Sequence, residues 1–314
     1  MLAVSALNHA YAADTRQKPS VEAYLKRLGY EPIALTRGES NHLYADGKLG
    51  DKKRTFMLDT GCSFTILNKS VGRKLKTLRE LNVKLEDSYL GKVTDSSTVL
   101  MERLVLGRAE FVNQPARVRD LGFVPSDGLL GCDFLYRNYC LIDCMNRRLY
   151  VRSGKPATDV ENAMKETFQR SGYFEVPLKL TRDLVATCEA KINGQPINLV
   201  VDTGAVWSTC DESLVAPLHL KLLDTWVNLV GVGRIGSHHV QLSTVKTLQL
   251  GELVLEKVDF AVAALGAWGI AESNQKNALR EVGGFLGGHT LALNSALIDC
   301  RGQRLWLKPK RAFR

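Results

Sequence analysis

The tripeptide Asp-Thr-Gly occurs twice in this chain, as Asp59-Thr60-Gly61 and Asp202-Thr203-Gly204. Each copy closes a short apolar run, Phe56-Met57-Leu58 in the first and Leu199-Val200-Val201 in the second. A run of that length reads as a buried strand. Each aspartate therefore sits where a strand leaves the core and enters a tight turn, so its carboxylate is held by the scaffold yet can face a cleft. Glycine in the third place permits the turn and the close approach of another backbone.

A tripeptide recurs by chance, but the likeness here extends far beyond it. The two aspartates are 143 positions apart, and under that shift Gly29-Tyr30 falls on Gly172-Tyr173, Leu35 on Leu178 and Lys48 on Lys191. A shift of 144 brings Leu106-Gly107 onto Leu250-Gly251 and Leu121-Gly122 onto Leu265-Gly266. A shift of 156 brings Leu130-Gly131 onto Leu286-Gly287 and Leu141-Ile142-Asp143-Cys144 onto Leu297-Ile298-Asp299-Cys300. The chain is an internal duplication whose second copy carries extra residues after Leu265.

Both halves also carry two apolar residues followed by glycine, Leu129-Leu130-Gly131 and Phe285-Leu286-Gly287. With Asp-Thr-Gly, these motifs resemble the aspartic peptidases of the pepsin and retropepsin superfamily, and more narrowly bacterial retropepsin-like proteins with two lobes fused in one chain. The resemblance covers about residues 20 to 309. It implies a mainly β fold of two pseudo-symmetric acid-protease β-barrel lobes with an active-site cleft between them. Short Val-, Ile-, Thr- and Leu-rich segments, separated by turn signals such as Asp46-Gly47 and Asn193-Gly194-Gln195-Pro196, suit one small barrel per lobe. The expected division is a lobe over 20–152, a linker over 153–158 and a second lobe over 159–309. A short helix is expected at 20–28, capped by Ser20 and stopped by Gly29, with its counterpart near 159–170.

Two carboxylates within a few ångströms of each other cannot both ionise easily and come to share a proton. The charged one can act as general base on water while the protonated one polarises a substrate carbonyl. Asp59 and Asp202 are the expected catalytic pair of an aspartic endopeptidase, and this chemistry requires no metal or other cofactor. The alternative is a peptide-binding module of the same fold with little or no turnover. Asp-Thr-Gly kept in both lobes argues against that, and against a purely structural role.

The resemblance implies further roles. Thr60 and Thr203 each reach across to the opposite loop, and Gly61, Gly204, Gly131 and Gly287 support the two loops. A flap about thirty residues after each aspartate would place Tyr89 and Gly91 in lobe one and Gly231 and Gly233 in lobe two. Tyr89 matches the pepsin flap tyrosine by position, or is a half-buried strand tyrosine. Phe64 and Trp207 match each other under the 143 shift and either line pockets or pack in the core. The longer connection from Leu265 to Gly287 would wall one side of the cleft. Pepsin-like enzymes usually place Ser or Thr after Asp-Thr-Gly to hydrogen-bond the carboxylate. Cys62 and Ala205 stand there in this chain, which implies a dyad of higher proton affinity and a mildly acidic optimum.

Seven cysteines leave at least one unpaired in a monomer. Cys62 and Cys132 are both replaced in lobe two, and Cys188 and Cys210 are both replaced in lobe one. This suggests the pairs Cys62–Cys132 and Cys188–Cys210, with buried free thiols as the alternative. Residues 1–13 are small and apolar, and Ala10-Tyr11-Ala12 resembles a cleavage site. Lys and Arg are absent before the apolar part, so the stretch is either an export signal or a disordered leader. Export would place the protein in the periplasm or outside the cell, and its absence in the cytoplasm. No apolar run approaches a membrane span. The 42 Lys and Arg against 33 Asp and Glu give a net charge of +9, but the chain has neither a nucleic-acid motif nor an aromatic-interleaved basic run. The expected partner is a peptide or protein substrate, met by a two-lobed monomer. His238-His239 lacks further ligands at metal-binding spacing.

Overall fold

The computed structural model describes residues 20–72, 78–81, 97–122, 124–154, 156–181, 184–225, 228–229, 238–265 and 282–309. Strands dominate, and they form two barrels joined by a third sheet.

In lobe one, the hairpin Leu43–Leu49/Lys52–Leu58 reverses at Gly50 with φ +58°. The long hairpin Ser97–Leu106/Ala109–Arg119 reverses at Gly107 with φ +57°. Glycine reaches this region without a Cβ penalty. Lys52–Leu58 runs parallel to Gly128–Leu130, which pairs with Ile66–Asn68, which in turn runs parallel to Ala109–Arg119. Pairing of Leu43–Leu49 with Ser97–Leu106 then closes a six-stranded ring. Lobe two repeats the ring with Ala186–Ile192, Gln195–Asp202, Val282–Gly287, Ser208–Asp211, Leu253–Ala263 and Gln241–Leu250. Its first hairpin turns at Asn193-Gly194, with φ +50° and +87°, as a two-residue turn of the primed type requires.

Asp46-Gly47, expected as a turn, lies instead inside the strand Leu43–Leu49. A Cβ on Gly47 would sit 2.2 Å from the Val105 carbonyl oxygen. Glycine is there because two strands press together where the barrel closes, and the chain reverses three residues later.

The third sheet contains both lobes. Its strand order is Glu31–Ala34, Arg148–Val151, Leu141–Asp143, Leu297–Asp299, Arg304–Leu307 and Phe174–Pro177. The central pair is antiparallel with Ile142 opposite Ile298. These residues are equivalents in the duplication, so the pseudo-two-fold axis passes between them. Alternation sends Ile142 and Ile298 into the main core, towards the barrels, and Leu141 and Leu297 to the other face.

Two helices cover that other face. Val21–Arg27 is capped by the Ser20 hydroxyl, which accepts from the Ala23 N–H at 3.1 Å. The second is Thr158–Arg170. Phe168, fully buried, meets Trp306 edge-on at 5.3 Å and lies 5.8 Å from Tyr173. Truncating such a residue to alanine costs about 3–5 kcal/mol. Among the described residues no helix is long and apolar enough to cross a membrane.

Candidate active site

Each Asp-Thr-Gly lies at the end of a strand parallel to the strand that leads into the second glycine. Leu58 sits beside Leu130, and Asp202 beside Gly287. The two loops meet at the pseudo-two-fold axis, and the threonines lock them. The Thr60 N–H donates to Thr203 Oγ1 at 3.1 Å, and the Thr203 N–H donates to Thr60 Oγ1 at 3.0 Å. Thr60 Oγ1 donates to the Val201 carbonyl at 2.7 Å, and Thr203 Oγ1 to the Leu58 carbonyl at 2.9 Å. Both side chains are buried, so each bond satisfies a group that would otherwise be costly.

This lock brings Asp59 and Asp202 together. A Cβ on Gly61 would lie 2.4 Å from Asp202 Cγ, and one on Gly204 would lie 2.6 Å from Asp59 Cγ. Each glycine is thus packed against the opposite carboxylate, and only hydrogen fits there. Asp59 accepts from the Gly61 N–H at 2.9 Å. Asp202 accepts from the N–H groups of Gly204 at 2.7 Å and Ala205 at 3.1 Å. Burial, then the neighbouring Asp202, holds the Asp59 carboxyl well above the usual carboxylate range. Burial also raises Asp202, against the opposing pull of its backbone donors. Asp59 is 7 % exposed, whereas Asp202 stays partly open. The pair holds a proton where isolated carboxylates would not.

A model of the aspartyl protease family matches residues 45–134 and 188–287, one stretch around each dyad loop and together more than half of the chain. The chain belongs to the aspartyl protease family. Among solved structures, the aspartic proteinase from Irpex lacteus superposes with a TM-score of 0.53 at 13% identity, covering 90% of this chain and 97% of that one. That likeness is one of fold. A retropepsin-like aspartic protease from Rickettsia conorii is 26% identical over 39% of this chain and 88% of its own, with a TM-score of 0.28. Among the curated proteins no relative matches.

Gly131 and Gly287 lie directly under the two loops. A Cβ on Gly131 would meet the Phe64 carbonyl oxygen at 2.4 Å, and one on Gly287 the Trp207 carbonyl carbon at 2.3 Å. Their N–H groups donate to Thr65 Oγ1 at 3.3 Å and Ser208 Oγ at 3.1 Å. These hydroxyls are held in turn. Thr65 Oγ1 donates to Asp133 at 2.7 Å, and Ser208 Oγ lies 2.7 Å from Thr290 Oγ1. Thr65, Asp133, Ser208 and Thr290 escaped the sequence reading, although Thr65 and Ser208 are equivalents under the 143 shift.

The expected disulfides are not formed, and all seven cysteines are buried free thiols. Cys62 Sγ donates to the Phe64 carbonyl at 3.2 Å and Cys132 Sγ to the Thr60 carbonyl at 3.1 Å. The two residues belong to different packing clusters, Cys62 with Tyr44 and Met57, Cys132 in the main core. Cys188 and Cys210 lie on strands separated by two others in the sheet order.

Phe64 is half-buried, with the Arg117 guanidinium carbon 3.5 Å from its ring centroid, and Trp207 packs against Val240, Ala261, Ala263 and Leu265. Tyr89, Gly91, Gly231 and Gly233, the leader over 1–13 and residues 266–281 of the longer connection lie outside the described residues. Asp143 and Asp299 cap turns instead of meeting the dyad, accepting from the Asn146 and Gly302 N–H groups, both at 2.9 Å.

One neighbour of the dyad came from neither motif. His42, half-buried in lobe one, places Nε2 2.9 Å from the Gly204 carbonyl oxygen of lobe two.

Proposed function

We propose that this chain is an aspartic endopeptidase that hydrolyses peptide bonds with a water activated between Asp59 and Asp202. The observation that carries the reading is the contact of each loop glycine with the opposite carboxyl group, which leaves the two acids adjacent in a site of limited solvent access. In the proton-sharing state the charged carboxylate takes a proton from water as the water oxygen attacks the substrate carbonyl carbon. The neutral carboxyl gives its proton to the carbonyl oxygen, forming a gem-diol. A proton then passes from the dyad to the amide nitrogen, the C–N bond breaks, and one gem-diol hydroxyl returns its proton as the acid product forms.

The loops are fixed before substrate arrives, so little reorganisation accompanies the charge movement. The test is incubation with a diverse peptide library, with and without pepstatin, using the wild type, Asp59→Asn and Asp202→Asn. Cleavage by the wild type and its loss in both variants is expected. Cleavage surviving in either variant overturns the dyad. The same proposal includes export through residues 1–13, to be checked by N-terminal sequencing of the mature protein from fractionated cells.

A further inference from the structure

His42 contacts the catalytic loop of the opposite lobe by way of its main chain. A carbonyl oxygen can only accept, so the 2.9 Å contact makes His42 Nε2 the donor to Gly204. That carbonyl belongs to the Gly204–Ala205 peptide, whose N–H is the Ala205 N–H that donates to Asp202 Oδ1 at 3.1 Å. A peptide whose oxygen accepts a hydrogen bond becomes a stronger donor through its nitrogen, because successive bonds polarise one another. The path His42 Nε2–H, Gly204 carbonyl, Ala205 N–H, Asp202 carboxylate therefore runs in one direction.

Lobe two has no counterpart to the imidazole, so no equivalent path reaches Asp59. The 143 shift places Val185 where His42 would be, and Val185 is an apolar, buried residue. Asp59 is also the more enclosed member of the pair. The other titratable groups around the path oppose no part of it. The Cys62 thiol, beside Asp59, and the Cys132 thiol are pushed up by burial and stay neutral. Tyr44 meets the imidazole edge-on at 6.4 Å, and its hydroxyl is also raised by burial. Arg37 bonds to Asn41 and to the Cys144 carbonyl. Burial lowers the His42 imidazole, partly offset by the Gly204 carbonyl and Asp202. The neutral Nε2–H tautomer suffices for the path.

We propose that His42 is a positioning residue that acts through the Gly204–Ala205 peptide to make Asp202 the charged member of the dyad and Asp59 the proton carrier. This rests on the endopeptidase reading for its catalytic meaning, since it assigns Asp202 as the base towards water. It also makes the nearly symmetric site functionally one-sided.

The test compares wild type, His42→Leu, which removes the donor, and His42→Gln, whose amide N–H restores one. Two readouts are used, the acidic limb of kcat/KM against pH and the aspartate ¹³Cγ shifts in the same range. Loss of one net hydrogen bond is expected to move the acidic limb of His42→Leu upward by about half a pH unit, with His42→Gln recovering most of the shift. Between the two titration steps Asp202 is expected to show a carboxylate shift and Asp59 a carboxylic acid shift, and in His42→Leu the two should converge. Unchanged spectra and limbs in both variants, or His42→Gln behaving as His42→Leu, would overturn the proposal while leaving the dyad intact. If the wild type cleaves nothing, the endopeptidase reading fails, and the ¹³C titration still decides the role of His42.

Discussion

Thr60 and Thr203 each donate a backbone N–H to the other's hydroxyl, at 3.1 and 3.0 Å, so neither loop has its hydrogen bonds satisfied without the opposite lobe. Thr60→Val keeps the shape and deletes the hydroxyl, leaving the Thr203 N–H and the Val201 carbonyl unpaired in a buried place. A loss of about 1–3 kcal/mol is expected, read by urea unfolding, together with a fall in kcat. Thr60→Ser should recover most of both. Equal stability of Thr60→Val and wild type would show that the lock contributes nothing.

The dyad's raised proton affinity carries a stability consequence. A carboxyl whose pKa is higher folded than unfolded makes the native state bind more protons than the unfolded one. Its stabilising contribution is complete below the ordinary carboxylate range near 4 and is lost as pH rises through the folded value. The pair therefore weakens the fold at neutral pH. Asp59→Asn removes one buried acid at a residue raised by burial and by Asp202. Its melting temperature should exceed the wild type's at pH 7, by roughly 1–2 °C for each kcal/mol relieved. The gap should shrink towards pH 3. A variant less stable than wild type at pH 7 would contradict the shared-proton description.

Neither carboxylate receives a side-chain hydroxyl from the residue after its glycine. Cys62 directs its thiol to the Phe64 carbonyl, and Ala205 offers a backbone N–H alone. The activity profile should be bell-shaped and centred in mildly acidic solution. Ala205→Ser adds a donor that favours the charged Asp202, so its acidic limb should move to lower pH by about half a unit or more. A shift in the opposite direction would mean that another group sets the dyad's proton affinity.

The thiols supply an independent check on packing. All seven are buried and free. A thiol reagent should react slowly with the native protein and should alkylate seven sites once it is denatured without reductant. A bridged peptide in non-reducing mass mapping would overturn this.

The dyad was legible because the duplication presents it twice, each time as an apolar strand ending in Asp-Thr-Gly. The same comparison hid His42. A residue whose equivalent is Val185 leaves no repeated signature, and its role arises from a fold that brings position 42 against position 204, a contact spanning both lobes. The Thr65 and Ser208 hydroxyls were unreadable for a related reason, since short polar side chains are common and their meaning comes from the glycine N–H above them. Gly47 was misread because glycine marks both turns and close strand approach. The Val105 carbonyl that decides between them is far away in sequence. The cysteine pairs misled because joint presence in one lobe reflects two residues fitting one lobe's packing, which needs no bond between them.

The register that sets Ile142 against Ile298 gives the two halves the relationship of subunits in a dimer, yet the chain runs from Val151 to Thr158 between them in a few residues. Tethering converts association into an intramolecular event with an effective concentration on the order of millimolar for a short connection. The lobes then need only a modest mutual affinity, stronger than about millimolar, to stay assembled at cellular dilution. Each can diverge on its side of the axis, as His42 and Val185 have, without first having to recognise a copy of itself.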